Sequence, residues 1–316
     1  MEWVRLAVAH CCNNATLATM VGNGDGTFQP EAALGQGSFF TLAAADFNAD
    51  GKPDLAFLSF TNGWGRSIVV YRNISVPQGA LVVTSAAGNP LKAPPVAPFS
   101  IVTAKGTDLA TGTLVNTAAT PPATMLGSTV TVQDSAGVPR PAPLFYVSGV
   151  QVNFLIPQAT ATGTATVTIT SGDGFVSVGT MAVTAIAPSI FTLNSNSLAA
   201  AYVQRVHGDG TQSIEYLYAV DGAGNVTFPP IDLGPATDQV YINIYGTGIQ
   251  GRTSLNTMAI SVGGVSTQAL YAGPSGYPGE DQVVILLPRS MVGAGTVNVV
   301  LSADGNAGNT TTLNIK

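Results

Sequence analysis

Three stretches of this 316-residue chain carry residue types and spacings that could do chemistry. The first is Asp46–Asp54, DFNADGKPD. Oxygen-bearing side chains recur at Asp46, Asn48, Asp50 and Asp54, Gly51 sits at the sharp turn, and the backbone carbonyl of Lys52 can fill the gap before Asp54. A hard cation such as calcium collects carboxylate, amide and carbonyl oxygens at this spacing. An EF-hand would need a further acidic ligand where Phe57 stands, and helical flanks where LAFLSF reads as a strand. The bland alternative is an Asx-rich turn between strands, since Asp and Asn side chains bond their own backbone.

The second stretch is Val206–Glu215, VHGDGTQSIE. Ser213 as nucleophile, His207 as base and Asp209 as acid make a nominal hydrolytic set. Triads are defined by geometry, however, and neighbours in sequence seldom line up. No Gly-x-Ser-x-Gly elbow is present, and GPSG at 273–276 reads as a turn. His207, Asp209 and Glu215 make a thin zinc set, because catalytic zinc sites use three protein ligands and often more than one His. The third stretch is Glu215–Asp221, EYLYAVD, where Tyr216 and Tyr218 share one strand face. Aromatic rings on such a face can stack on sugars, although paired strand tyrosines also serve simply as packing. Glu280 and Asp281 are adjacent, so on a strand they face opposite sides and do not form a glycosidase pair. The remaining histidine, His10, precedes the neighbouring cysteines Cys11 and Cys12. A bridge between neighbours is strained, and no Cys-x-x-Cys or Cys/His spacing supports a metal. These read as thiols in or beside a strand.

Composition narrows the classes. Hydrophobic residues make up 46% of the chain, enough to build cores, while charged residues make up only 9%, against the usual quarter or so. Thr, Ser, Asn, Gln and Gly must therefore cover the surface, as in secreted β-proteins. The formal net charge is −6 and no basic cluster occurs, which argues against a nucleic-acid partner. No apolar run approaches the roughly 18 residues of a membrane helix, and Met1–Arg5 does not open a signal peptide.

The elements that must position these residues are strands. The stretch Gln151–Thr170, QVNFLIPQATATGTATVTIT, recurs as Gln282–Ser302, QVVILLPRSMVGAGTVNVVLS. Each copy has an apolar run, a proline (Pro157, Pro288), a Gly-Thr step and an alternating strand, which reads as a hairpin-like unit. Duplication implies two copies of one domain. Short strands at intervals of about ten residues with turn signals between them argue β-sandwiches. A second, imperfect repeat aligns Leu6–Asn23 with Leu55–Asn73. The expected fold is all-β: two Ig-like β-sandwich domains preceded by a partial β-propeller-like sheet. The expected boundaries are a calcium-loop repeat region at 1–76, a Pro/Ala-rich linker at 77–98, a first sandwich at 99–193, a decorated inter-domain segment at 194–238, and a second sandwich at 239–316.

GNGDGTF (22–28) with DFNADGKPDLAF (46–57) resembles the FG-GAP/VCBS repeat, the blade of calcium-bearing β-propellers. That resemblance implies structural calcium on Asp46, Asn48, Asp50 and Asp54. There is material for fewer than two blades, whereas closure takes typically four or more; the front of the first repeat is missing, so the chain reads as the tail of a longer propeller. YGTGI, VGGV, LYAGPSGYPGEDQVVILLP and TTLNIK resemble the uncharacterised C-terminal domain family named after Solibacter. This second resemblance spans about 80–316 and implies Ig-like modules, export and a bacterial extracellular setting.

The leading expectation is an extracellular binding, adhesion or structural module protein with a structural Ca²⁺ site and a glycan or protein partner. Open strand edges at the N-terminus also point to self-association. The alternative is a hydrolase of unfamiliar type (esterase, phosphoesterase or glycosidase) with its site near His207. A third reading is a fragment whose parent carried the function.

Overall fold

The computed structural model describes residues 5–9, 16–21, 27–36, 38–45, 47, 54–61, 65–71, 78–87 and 95–316. It is all-β, 55% strand and 2% helical, with several sheets and, among the described residues, no closed barrel. The chain divides into two units, Met1–Ser75 and Val76–Lys316.

The first unit holds β1 (Arg5–Ala9), β2 (Thr16–Val21), β3 (Ala32–Gln36), β4 (Ser38–Ala45), β5 (Asp54–Thr61) and β6 (Gly65–Tyr71). These make two antiparallel three-stranded sheets, β1-β2-β3 and β4-β5-β6. Leu17 of β2 and Phe57 of β5 are buried together, with Leu42 and Val69 packed on them. Phe57 also lies 5.2 Å, centroid to centroid, from the Tyr71 ring.

The second unit contains two sandwiches with separate cores. The first uses β7 (Gln78–Ala80), β8 (Val82–Ser85), β9 (Ile101–Lys105), β10 (Leu114–Val115), β11 (Thr124–Met125), β12 (Ser128–Gln133), β13 (Pro139–Pro141), β14 (Leu144–Val147), β15 (Gln151–Leu155), β16 (Gly163–Thr170) and β17 (Val176–Val183). Its sheets run β10-β14-β15-β9-β8 and β11-β12-β16-β17-β7, with β13 on β12. The second uses β18 (Ser189–Ile190), β19 (Ala201–Val206), β20 (Gln212–Tyr216), β23 (Gln239–Thr247), β24 (Met258–Val262), β25 (Val265–Thr267), β26 (Ala269–Pro274), β27 (Asp281–Leu286), β28 (Gly295–Ala303) and β29 (Asn306–Ile315). Between β20 and β23 a two-stranded ribbon, β21 (Ala219–Val220) with β22 (Val226–Thr227), stands apart. The second sandwich's sheets run β20-β19-β23-β27-β26 and β25-β24-β28-β29. The two orders match strand for strand from β14, β15, β9, β8 to β26, β27, β23, β19, so the duplication is visible in topology. Among the described residues the strand β20 has no counterpart beyond β8; it forms the edge of its sheet in the second copy.

Period-two alternation explains these strands. In Ser128–Gln133, Ser128, Val130 and Val132 are buried, and in Gly163–Thr170 Ala165, Val167 and Ile169 are buried, while the threonines between them face outward. The repeated unit is not a hairpin: β15 and β16 lie in different sheets, as do β27 and β28. Pro157 and Pro288 follow the first strand of each pair, where a residue without N–H ends a ladder, and the chain then crosses the core to the opposite sheet.

The Pro/Ala-rich connector at 77–98 carries strands, and the decorated segment at 194–238, which its turns mark for one or two hairpins, carries β19–β20 and β21–β22. Within 77–98, Val83, Thr84 and Ser85 are buried and β8 pairs antiparallel with β9, while β7 pairs parallel with β17. The run Leu81–Ser85 is β-branched and apolar enough to join a sheet despite its Pro- and Ala-rich surroundings. Within 194–238, AYVQRV alternates buried and half-buried side chains as β19 pairs with β23, so this segment belongs to the second sandwich.

The sandwiches are joined by specific bonds. Thr247 Oγ1 accepts the Ile101 amide at 3.0 Å and donates to Gly279 O at 2.7 Å. Asn309 Nδ2 donates to Ala87 O and Ile190 O, both at 2.9 Å, and its Oδ1 accepts the Ile190 amide at 2.7 Å. Gly279 has φ of +76°, and a Cβ there would lie 2.4 Å from Leu155 Cδ1 and 2.9 Å from Ile101 Cγ1. Gly279→Ala is therefore expected to destabilise the two-sandwich unit by about 1–3 kcal/mol, through positive-φ strain and overpacking together. Calorimetry checks this; an unchanged melting temperature would show the junction to be loose.

Candidate functional site

Of the calcium-loop residues, Asp46, Asn48, Asp50 and Lys52 lie outside the described residues, as do His10, Cys11 and Cys12. Asp54 opens β5, is fully buried, and its Oδ2 accepts the Phe47 amide at 3.2 Å. Among the described residues no group of three or more His, Cys, Asp or Glu could hold a metal ion. His207, Asp209 and Glu215 are therefore not a zinc set.

The β19–β20 hairpin carries the richest chemistry. Its two strands pair Arg205 with Ser213 and Val203 with Glu215 on the face toward the core, and Tyr202 with Tyr216 and Gln204 with Ile214 on the outer face. On the inner face, Arg205 is almost fully buried. Its Nε donates to Glu215 Oε1 at 2.6 Å and its Nη2 to Glu215 Oε2 at 3.1 Å, a two-pronged pair. Nη1 reaches Asp238 Oδ2 at 3.4 Å and Nη2 also donates to Asp232 O at 2.6 Å. Glu215, followed by Asp238, raises the guanidinium's pKa above its ordinary value against the opposing effect of burial. A buried charge needs such partners, because leaving it unpaired costs several kcal/mol.

Asp238 in turn reaches His207. Its Oδ2 lies 3.3 Å from His207 Nδ1, and its Oδ1 accepts the Gly208 amide at 3.3 Å. His207 Nε2 lies 3.2 Å from Ser213 Oγ. Ser213 and His207 thus do meet, as their types suggested, but the carboxylate behind the histidine is Asp238 rather than Asp209. Asp209 is turned to its own loop, accepting from the Thr211 hydroxyl at 2.7 Å and the Thr211 amide at 2.9 Å. Those two bonds, the hydroxyl first, hold its carboxyl below the usual range. Sequence reasoning missed Asp238 because it arrives from the start of a different strand, β23.

On the outer face, Tyr202, Tyr216, Tyr218 and Tyr245 line one groove of about 370 Å³ with Leu193, Ala200, Ala201 and Ile214. Tyr216 is 62% exposed and Tyr218 44%. The Tyr216 and Tyr218 rings lie 5.8 Å apart, and those of Tyr202 and Tyr245 6.0 Å. Burial raises the Tyr245 phenol above its ordinary pKa, so it remains a neutral donor. Amides flank the rings: Gln204 Nε2 donates to Gln212 Oε1 at 3.0 Å, and Gln282 Nε2 to Asn243 Oδ1 at 2.7 Å. Asn243 stands opposite Tyr202 in the register and is buried, and its Nδ2 has no hydrogen-bond partner among the described residues. Tyr216 and Tyr218 were legible as an aromatic pair; Tyr202 and Tyr245 join them only through strand pairing.

The adjacent acids have separate roles. Glu280 Oε1 accepts the Ser275 hydroxyl at 2.7 Å. Asp281 is buried, its Oδ2 accepting the Ile249 amide at 3.0 Å and its Oδ1 the Gln250 side chain at 2.8 Å.

No family model and no curated protein matches the chain. Among solved structures it is similar to SGBP-B of the Bacteroides ovatus mixed-linkage glucan utilization locus, solved with a mixed-linkage heptasaccharide. The match has 12% identity and a TM-score of 0.25, and covers 70% of this chain but only 43% of that protein. A likeness of that strength carries no argument about function. The class defined by the structure itself is an all-β protein with β-sandwiches, and no helix among the described residues is long and apolar enough to cross a membrane.

Asp281 gives the site region a pH signature. Burial, outweighing the bonds from Ile249 and Gln250, raises its pKa from 3.8 to about 6. The native state then holds a proton that the unfolded chain releases, so this contribution is fully present below about pH 3.8 and is lost as pH rises through about 6. A rise of that size is worth about 3 kcal/mol between the two protonation states. Asp281→Asn, whose amide can pair with a turned Gln250, should gain stability relative to wild type by about that amount between pH 4 and pH 7. Urea unfolding at both pH values checks it; parallel stability curves would contradict it.

Proposed function

We propose that the protein is an extracellular binding module whose ligand is a neutral glycan, docked in the tyrosine-lined groove on the outer face of the second sandwich. The observation that carries this is the gathering of Tyr202, Tyr216, Tyr218 and Tyr245 into one open groove without a charged lining residue. Phenol rings stack on the C–H faces of sugars and their hydroxyls bond sugar hydroxyls. The nearby amides of Gln204 and Gln282 offer further donors and acceptors to an uncharged polyol. A shallow groove of this kind suits a chain-like ligand better than a small molecule that must be enclosed. The low charge of the chain and its resemblance to the Solibacter-type C-terminal domain fit an exported bacterial protein.

Affinity electrophoresis against a panel of neutral soluble polysaccharides tests the reading. Retardation of the wild type should fall about tenfold or more in Tyr216→Ala and Tyr202→Ala, a loss of about 1.4 kcal/mol or greater. If no polysaccharide retards the wild type, or if the tyrosine variants bind equally, the groove is not a glycan site.

The propeller-like unit has a structural calcium ion in this reading, held by Asp46, Asn48, Asp50, the Lys52 carbonyl and Asp54. Its support is the spacing of these oxygens and the burial of Asp54 at the end of the loop. Calcium after EDTA should raise the melting temperature of the first unit, since a ligand that prefers the folded state stabilises it. Asp50→Ala should abolish that rise, and an identical melt with EDTA and with calcium would remove the ion from the account.

A further inference from the structure

We propose that Ser213, His207 and Asp238 form a hydrolytic centre acting on short-chain acyl esters of alcohols. The proposal stands on the inner face and turn of the β19–β20 hairpin and does not rest on the glycan reading. Two contacts in series carry it: Ser213 Oγ to His207 Nε2 at 3.2 Å, and His207 Nδ1 to Asp238 Oδ2 at 3.3 Å. A nucleophile touching a base, and that base held by a third group, is the arrangement that activates a serine.

Each member is fixed from behind. Asp238 is held by Arg205 Nη1 and by the Gly208 amide. Arg205 is itself locked by Glu215 and by the Asp232 carbonyl. Arg289 clamps the loop before Asp238, donating to Leu233 O and, at 2.8 Å, to Gly234 O. Gly234 has φ of +63°, and a Cβ there would lie 2.7 Å from Arg205 Nη1 and 3.1 Å from Asp238 Oδ2. That close approach of the loop leaves room for glycine alone. With Asp238 on Nδ1, the neutral imidazole presents Nε2 as the base toward Ser213, which is the tautomer a nucleophilic serine requires.

The edge position of β20 supplies the oxyanion donor. His207 N donates to Thr211 O at 2.8 Å, which sets the alternation of the hairpin ladder. Arg205 and Ser213 then form the next bonded pair, and the amides of Gln212 and Ile214 point away from β19. β20 ends its sheet, so the Ile214 amide, next to the nucleophile, faces outward at the strand edge. An N–H following the nucleophile is a recurrent oxyanion donor.

The chemistry balances without a further reactant beyond water. Ser213 Oγ bonds to the acyl carbon as its proton passes to His207 Nε2, and the carbonyl oxygen becomes an oxyanion on the Ile214 amide. The ester C–O bond breaks as Nε2 returns the proton to the leaving alcohol. Water then attacks the acyl-serine with the same base, releasing the carboxylic acid and restoring Ser213. The His207 side chain is 38% exposed, so the centre opens directly to solvent. An open centre suits a small acyl group presented on a larger alcohol.

The experiment combines a fluorophosphonate probe with turnover of p-nitrophenyl acetate by the full chain. The expected result is one adduct, mapped to Ser213, and a loss of about 10²–10⁴-fold in kcat/KM in Ser213→Ala. Asp238→Asn should lose turnover as well, while Asp209→Asn keeps both turnover and labelling. Circular dichroism accompanies each variant, and Ser213→Ala, which removes a single oxygen, keeps the test valid even if Asp238→Asn fails to fold. Equal kcat/KM in wild type and Ser213→Ala, or an adduct at any residue other than Ser213, overturns the proposal.

Discussion

Successive side chains of an extended strand point to opposite faces, so a strand in a two-sheet sandwich can bury only every second residue. Both sandwiches of this protein are arranged around that limit. Val130, Val132, Val167 and Ile169 fill one core, and Ile242, Ile244, Val283, Ile285, Val299 and Leu301 the other. The positions between them point away from the core, and the chain gives them mostly to threonine, asparagine, glutamine and tyrosine rather than to charge. Burial of the inner row supplies most of the stabilisation. The outer row is left free to vary without disturbing the core, and it is on an outer row that the tyrosine groove lies.

The two copies of the sandwich share a strand order among the described residues. The second copy continues past the strand equivalent to β8 with β20, and the ribbon β21–β22 follows. An edge strand such as β20 brings a difficulty, because its inner face adjoins the core while its outer edge ends the sheet. Arg205 resolves the inner side. Its guanidinium lies where an apolar side chain would be expected from the alternation, and Glu215, Asp238 and the Asp232 carbonyl surround it. Removing any one partner would leave charge buried without compensation, so the group must be kept or lost as a unit. The side chains that hold the hairpin down are thus the same ones that carry Asp238 to His207.

Much of the fold is legible in the residues. Ser128–Gln133 and Gly163–Thr170 alternate cleanly, and the repeated Gln151–Thr170 and Gln282–Ser302 announce the duplication. Alternation states which side chains go inward but not which sheet a strand joins, and for that reason β15 and β16 read as a hairpin although they lie on opposite sheets. The strand β8 was hidden because Val82–Ser85 is short and its Ala- and Pro-rich neighbourhood dominates any average. At the site, Ser213 and His207 share one hairpin, so local spacing was enough to suggest them. Asp238, Tyr202 and Tyr245 enter from β19, β23 and its leading loop, and only strand pairing brings them near. Long-range register is the information that a periodicity argument lacks.

The hairpin also separates two kinds of surface that would interfere if mixed. A groove that holds a neutral polyol gains from being uncharged, since a carboxylate or guanidinium there would keep its own water and compete with the ligand's hydroxyls. A nucleophile with its base needs the opposite: fixed charge close by, to hold the imidazole in one tautomer. Alternation along β19 and β20 places Tyr202 and Tyr216 on one side and Arg205, Ser213 and Glu215 on the other. A one-residue slip of β20 against β19 would send Ser213, Glu215 and Tyr216 to the wrong face. The register is therefore held where a slip would begin, at the turn, by the His207 and Thr211 backbone bond and by Asp209 closing the loop on Thr211. Asp209, set aside as a catalytic acid, helps to close that turn by accepting from Thr211, a task an asparagine oxygen performs as well.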